Sequence, residues 1–151
     1  MRALIFSDSH GSIKSMTDII DREENIDLII HAGDVNEDCY TLRKLYPEMR
    51  IEFVRGNNDF LDKEVPTDRL FTFGGKKIFL THGHKYGVKV NPYKVWLKAK
   101  ENGADICIFG HTHSRFSEDV DGLRLFNPGS SRSSCGLLDL SNGEINLLFL
   151  Y

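Results

Sequence analysis

A chain of 151 residues, 40% of them hydrophobic, can bury a substantial core without disulfide or metal staples, and a single domain over 1–151 is expected. Its 19 lysines and arginines against 22 aspartates and glutamates leave a formal charge of −3, so no global positive field draws a nucleic-acid polymer or an anionic membrane surface. Cys39, Cys107 and Cys135 are odd in number and lack a C-x-x-C spacing, which speaks against a disulfide framework or a thiolate zinc site and for small apolar fillers in a reducing compartment.

The N-terminal apolar run is too short for a signal peptide, and no run approaches the roughly 18 residues of a membrane span, so a cytoplasmic location is expected. Ala3-Leu4-Ile5-Phe6 is a continuous apolar run, the pattern of a strand buried on both faces. A helix follows, with Ser12 as its expected cap and Ile13, Met16, Ile19 and Ile20 at helical spacing. Leu28-Ile29-Ile30 is the next strand, residues 37–46 a second helix stopped by Pro47, and residues 51–54 a third strand. Gly74-Gly75 between residues 70–73 and 77–80 has the spacing of a tight hairpin. A third helix starts at Pro92 and ends at Asn102 with Gly103 as its stop, and Ile106 to Phe109 is another buried strand. Asp121-Gly122 and Asn142-Gly143 mark two further hairpin turns, the last strand running over Ile145 to Tyr151. A parallel beginning and an antiparallel end predict a mixed α/β domain of two face-to-face sheets with helices outside.

The chemistry-bearing residues stand just after the predicted strands: Asp8 and His10, Asp34, Asn57, His82 and His84, His111 and His113. That is the edge at which ligands bind in open α/β sheets. Each has an ordinary reading taken singly: Asp34 can cap a helix, Asn57-Asn58 can form a turn, and His111 and His113 can be satisfied strand-end side chains. Those readings would have to hold independently in five loops that supply only carboxylate, carboxamide and imidazole. The five together point to a metal site.

In order and spacing, Asp8-Ser9-His10, Gly33-Asp34, Gly56-Asn57-Asn58-Asp59, His82-Gly83-His84 and Gly110-His111-Thr112-His113 resemble the successive motifs of the calcineurin-like metallophosphoesterases. The short length, the stretch from Thr81 to Gly87 and the Asn127-Pro128-Gly129-Ser130 turn resemble a compact prokaryotic phosphodiesterase branch of that family. The resemblance implies a four-layer α/β/β/α sandwich of two mixed sheets flanked by helices. It also implies a dinuclear-metal phosphoesterase, a phosphodiesterase before a phosphomonoesterase, working by in-line attack of a hydroxide shared by two ions. Carried over by position, Asp8, His10 and His113 would hold one ion, Asn57, His82 and His111 the other, and Asp34 would bridge them. A neutral carboxamide would leave the second ion the stronger Lewis acid. Imidazole with carboxylate suits Mn, Fe, Zn or Ni better than Mg or Ca, and Mn²⁺ is the expected metal.

One motif departs from the family pattern. Many members carry Gly-Asn-His-Glu or Gly-Asn-His-Asp at the third motif, and that histidine is thought to protonate the leaving oxygen; Asn58 stands in its place here. A carboxamide cannot deliver a proton near neutral pH. The expected catalytic set is therefore His84 as substitute acid, with Asp59 and Asn58 around it; Asp59 is also a candidate for fixing an imidazole tautomer. Arg132 and Arg55 are candidates for a phosphate oxygen or for plain surface cations. The expected partner is a small phosphate ester, and a homodimer is the base-rate oligomer. A non-catalytic scaffold is the alternative, because relatives include a trafficking-coat subunit, but a scaffold predicts a degenerate ligand set and every position is filled here.

Overall fold

The structure, a computed structural model, describes residues 1–150; Tyr151, the end of the expected last strand, lies outside them. The first third runs β1 (Arg2–Phe6), α1 (Ile13–Arg22), β2 (Leu28–His31), α2 (Asn36–Leu45) and β3 (Arg50–Phe53). The hairpin β4 (Asp68–Phe73) and β5 (Lys76–Thr81) follows, then a 3₁₀ turn at His84–Tyr86 and α3 (Tyr93–Glu101). Strands β6 (Ile106–Ile108), β7 (Arg115–Val120), β8 (Leu123–Pro128), β9 (Cys135–Asp139) and β10 (Asn146–Leu150) complete the order.

These strands form two mixed five-stranded sheets, ordered β10-β9-β1-β2-β3 and β4-β5-β6-β8-β7. In the first, β1, β2 and β3 are parallel and β9 pairs antiparallel with β1, Ala3 facing Leu138. In the second, β5, β6 and β8 are parallel inside two antiparallel edges.

Strand alternation decides the layers. Ala3 and Ile5 of β1, with Leu28 and Ile30 of β2, point to the middle and meet Ile78, Leu80, Ile106, Ile108 and Phe126 of the other sheet. Leu4, Phe6 and Ile29 point the opposite way, where Met16, Ile19 and Ile20 of α1 and Cys39 and Leu42 of α2 cover them. Phe79, Cys107 and Leu125 are covered by Val95 and Ala99 of α3. The continuous apolar runs are thus strands with a core on each face, and the result is four layers, helix on sheet on sheet on helix. Each buried Leu, Ile or Phe contributes about 1.5–3 kcal/mol. Burial raises the three thiols, Cys135 to about 12. No helix among the described residues is long and apolar enough to cross a membrane.

Two local expectations need correction, and a third needs refinement. Ser12 occupies the N-cap of α1 but its side chain makes no cap hydrogen bond; with ψ at 56° its backbone is outside the usual extended cap conformation. Pro92 is the N-cap of α3 rather than its first-turn residue. Asn142-Gly143 does mark a hairpin, since β9 and β10 pair antiparallel across it, but the turn lies inside a longer loop in which the Gly143 N–H bonds the Leu140 carbonyl and the Glu144 N–H bonds Asn142 Oδ1.

Candidate metal centre

All seven sequence-predicted ligands belong to loops that leave one edge of the two sheets. Asp8, His10, Asp34 and Asn57 follow β1, β2 and β3 of the first sheet; His82, His111 and His113 follow β5 and β6 of the second. Two donor groups come together within 4.8 Å: Asp8 with His10 and His113, and Asp8 with Asp34 and His82. His113 Nε2 lies 3.2 Å from Asp8 Oδ1, and His10 Nε2 lies 3.8 Å from Asp34 Oδ2. Around His82 Nε2 stand Asn57 Oδ1 at 3.0 Å, His111 Nδ1 at 3.2 Å, Asp34 Oδ2 at 3.5 Å and Asp8 Oδ1 at 3.7 Å. Both carboxylates therefore face both histidine groups.

The proton arrangement suits this cluster to a cation. The His82 Nδ1–H donates to the Ala32 carbonyl at 2.8 Å, which leaves a lone pair on Nε2 in the neutral imidazole. That lone pair meets carboxamide and carboxylate oxygens that are also acceptors. Asp8 is fully buried, its Oδ2 accepts from Ser7 Oγ and the His111 N–H, and its Oδ1 accepts no hydrogen bond at all. His10 Nε2 is likewise buried without a partner. Converged acceptors out of water are costly, and a divalent ion is the group that offsets them. Burial, with His82 next, pushes His111 down to about 4, which keeps its ring neutral and able to ligate.

The loops that present these atoms are forced into uncommon conformations. Asp8, His10, Asp34, His111 and His113 all lie in the left-handed region, with φ of 51°, 44°, 56°, 70° and 60°. Val35, at φ 44°, is the sharpest case because it is β-branched. Such positions cost about 1 kcal/mol or more each and cluster where function demands them. Two glycines make room. A Cβ on Gly56 would stand 2.0 Å from Asp34 Oδ1, and one on Gly110 would stand 1.9 Å from Ser7 Oγ and 2.8 Å from Asp8 Oδ2.

Of the expected catalytic residues, Asn58 is engaged with a ligand: its Nδ2 donates to Asp34 Oδ2 at 2.7 Å and its backbone N–H to Oδ1 at 3.0 Å. Among the described residues Asp59 hydrogen-bonds no imidazole. Its Oδ2 accepts the backbone N–H groups of Asp34 and Gly56, and its Oδ1 accepts that of Asn36, so it ties two ligand loops to the start of α2. Asp34 does not cap α2; Val35 is the N-cap residue, without a side-chain bond. His84 lies beside the centre, its ring centroid 5.5 Å from that of His82, with a buried Nδ1 that has no partner. Burial lowers its pKa, so it is a neutral imidazole near pH 7. Arg132 is exposed at the rim, its Nη2 3.5 Å from the His10 carbonyl, and among the described residues no carboxylate lies within 4 Å of it.

Sequence reasoning missed the residues that hold these loops. His31 is fully buried at the end of β2; its Nδ1 accepts the Gly33 N–H, so Nε2–H donates to Ser9 Oγ at 3.0 Å, and Ser9 Oγ–H donates to Asp38 Oδ2 at 2.6 Å. Asp38 Oδ2 also takes the Gly11 N–H. Buried Asn127 donates to the Gly110 carbonyl and to Thr112 Oγ1, and Ser131 brackets Ser7 through both N–H and Oγ. The available signal was a histidine closing an apolar strand two residues before Gly33.

Known proteins similar to this chain are phosphoesterases by name or share its fold. A Bacillus subtilis protein named a probable metallophosphoesterase is 37% identical over 99% of this chain and 90% of its own length. A phosphodiesterase of Methanocaldococcus jannaschii is 27% identical over 91% of the chain and 87% of its own. Among solved structures, a conserved Streptococcus pneumoniae protein described as a predicted phosphoesterase superposes with a TM-score of 0.79 at 28% identity, covering 99% of this chain and 88% of that one. Zinc-bound Vps29 of Entamoeba histolytica reaches 0.77 at 22% identity over 99% and 98%, a likeness of fold alone. The model of the calcineurin-like phosphoesterase superfamily domain matches residues 1–140, and the chain belongs to that superfamily.

Proposed function

We propose that the chain is a phosphodiesterase that works with two divalent transition-metal ions, Mn²⁺ foremost, in the cytoplasm. The observation that carries the reading is the convergence of carboxamide and carboxylate oxygens on His82 Nε2, whose Nδ1–H is taken by the Ala32 carbonyl, beside a buried Asp8 Oδ1 that has no hydrogen-bond partner. Asp8, His10 and His113 would hold one ion, and Asn57, His82 and His111 the other, with Asp34 and Asp8 facing both. When bound, such a pair supplies an activated water and neutralises the phosphoryl oxygens. The protein's own residues do the rest. The Ala32 carbonyl sets the His82 tautomer, and Asn58 keeps both oxygens of the Asp34 carboxylate in place. In the reaction the water oxygen bonds to phosphorus, the ester P–O bond breaks, and the departing oxygen takes a proton. His84, a neutral imidazole at rest, is proposed to take up a proton from solvent on its free ring nitrogen and pass it to the departing oxygen, and it stands within reach of the centre.

The test is metal analysis with turnover of bis(p-nitrophenyl) phosphate against p-nitrophenyl phosphate. Two ions per chain, loss of activity with chelator and recovery with Mn²⁺ are expected, and Asp34→Asn should cost about tenfold or more while the chain stays folded. A folded, metal-loaded and fully active Asp34→Asn variant defeats the two-metal mechanism, and a tenfold monoester preference defeats the diester assignment. The second reading, a binding scaffold, draws on the likeness of fold to Vps29. Metal loading without hydrolysis of either ester would favour it.

A further inference from the structure

Two cavities beside the centre share Phe60 as a wall, and their electrostatics are opposite. One, of about 490 Å³, is lined by Glu37, Asp59 and Asp62 among its residues. The other, of about 400 Å³, is lined by Arg55, Asn57, Phe60, Thr67, His84 and Lys85, and no carboxylate lines it. Asn57 belongs to both this second cavity and the metal centre, so a phosphate ester seated at the centre extends into it. An anionic substituent is repelled by the first cavity and attracted by the second.

The second cavity carries cations without counter-ions. The Arg55 backbone is pinned by its N–H to the Pro66 carbonyl at 2.9 Å, while among the described residues its guanidinium has no hydrogen bond and no carboxylate within 4 Å. Lys85 Nζ donates to Thr67 Oγ1 at 3.1 Å and also lacks an acid partner. Three arginines elsewhere on the surface are matched: Arg50 and Arg69 pair with Glu52, and Arg124 with Asp119. A guanidinium and an ammonium left unmatched around one cavity are donors for a phosphate or carboxylate. Phe60 is 68% exposed, a large apolar face with nothing covering it.

We propose that this cavity is a subsite for a second anionic group on the organic substituent of the substrate, held by Arg55 and Lys85, with Phe60 as the wall for a planar ring. The substrate class is a phosphodiester that carries a further phosphate, of the kind a nucleoside bisphosphate derivative presents. The assignment rests on the phosphodiesterase reading for its first anion, the one at the metal centre.

Matched substrates separate the two. Thymidine 5′-(p-nitrophenyl phosphate) and its 3′-phosphorylated counterpart share a scissile bond and differ by one anion. The metal-loaded protein should prefer the 3′-phosphorylated ester at least tenfold in kcat/KM, through KM. Arg55→Ala and Lys85→Ala should each shrink that preference about tenfold, and Arg55→Lys should restore most of it. Calorimetry gives a readout independent of turnover: thymidine 3′,5′-bisphosphate should bind at least tenfold more tightly than thymidine 5′-monophosphate, and the two alanine variants should lose the difference. Turnover of both esters with no preference in either assay overturns the subsite. A binding preference without turnover upholds the subsite and removes the phosphodiesterase reading instead.

Discussion

Asn58 and His84 stand beside the same cluster with different polar atoms left unspent. Asn58 spends its backbone N–H and one Nδ2–H on Asp34, and its remaining Nδ2–H can donate a hydrogen bond but cannot deliver a proton to a departing oxygen. His84 keeps Nδ1 free. If it supplies the proton, the cost of losing it depends on how badly the departing group needs one. His84→Ala should slow hydrolysis of alkyl-type phosphodiesters by about tenfold or more, and of nitrophenyl-type esters far less, because nitrophenolate leaves without a proton. Parallel kcat measurements on the two ester types check this; equal losses would assign His84 to metal or substrate placement, and no loss would remove it from the reaction. The candidate residues could be picked out of the sequence as a group because Asp, Asn and His recur right after apolar runs, a pattern that survives without any knowledge of tertiary contacts. Their backbone was not legible. Nothing in Asp8-Ser9-His10 announces two left-handed residues, since the turn is imposed by Gly33, Ser130 and His111, which reach it from distant loops.

At the level of elements, the loops after β1 and β2 are joined to α2 by the buried chain His31–Ser9–Asp38. Because the Gly33 N–H occupies His31 Nδ1, a second proton has no place in the ring without breaking that bond. Burial, reinforced by His82, accordingly lowers His31 from the ordinary 6.5 to about 3. Below pH 6.5 the unfolded chain takes up a proton that the folded chain refuses, so stability from this residue is full above 6.5 and falls as the pH drops toward 3. The slope approaches about 1.4 kcal/mol per pH unit, roughly 2 kcal/mol by pH 5. Urea unfolding of the chelated protein at pH 7 and pH 5 should show His31→Gln less stable than wild type at pH 7 and the gap narrowed or closed at pH 5; an unchanged gap would mean that His31 takes up its proton in the folded state. The apolar runs of β1, β2 and β6 identified themselves because both faces are buried. His31 did not, since in one dimension a polar residue ending such a run looks like the strand's exit. Asp59 was similarly opaque: its partners Asp34 and Asn36 stand 25 and 23 residues away, and only the fold brings their amides to it.

Across the whole molecule, the candidate centre draws four of its expected ligands from one sheet and three from the other, above the core in which Ile5 and Ile30 meet Leu80 and Ile108. Occupancy by metal would therefore tie the sheets together and relieve the repulsion among buried acceptors. Ions that bind the folded chain at a hundredfold excess over their dissociation constant add about 2.7 kcal/mol per site, which for a chain of this size raises the melting temperature by about 5–10 °C. With two ions per chain, calorimetric melts with chelator and with Mn²⁺ should differ by at least that much, and Asp8→Asn should lose most of the difference; stoichiometric binding with no shift would mean that the donors are not held between the sheets. The first sheet also has a peculiar order in time. Its central strand β1 has β2 on one side, made a few residues later, and β9 on the other, with Ala3 opposite Leu138. As the chain leaves the ribosome, one side of β1 therefore stays open until almost everything else has been synthesised, an apolar edge with free amides exposed to any neighbouring strand. Ser131, which clamps the Asp8 loop, emerges in that same late stretch, so the polypeptide has no finished site to fill while it is being made, and a nascent chain stalled before β9 is the form most open to aggregation.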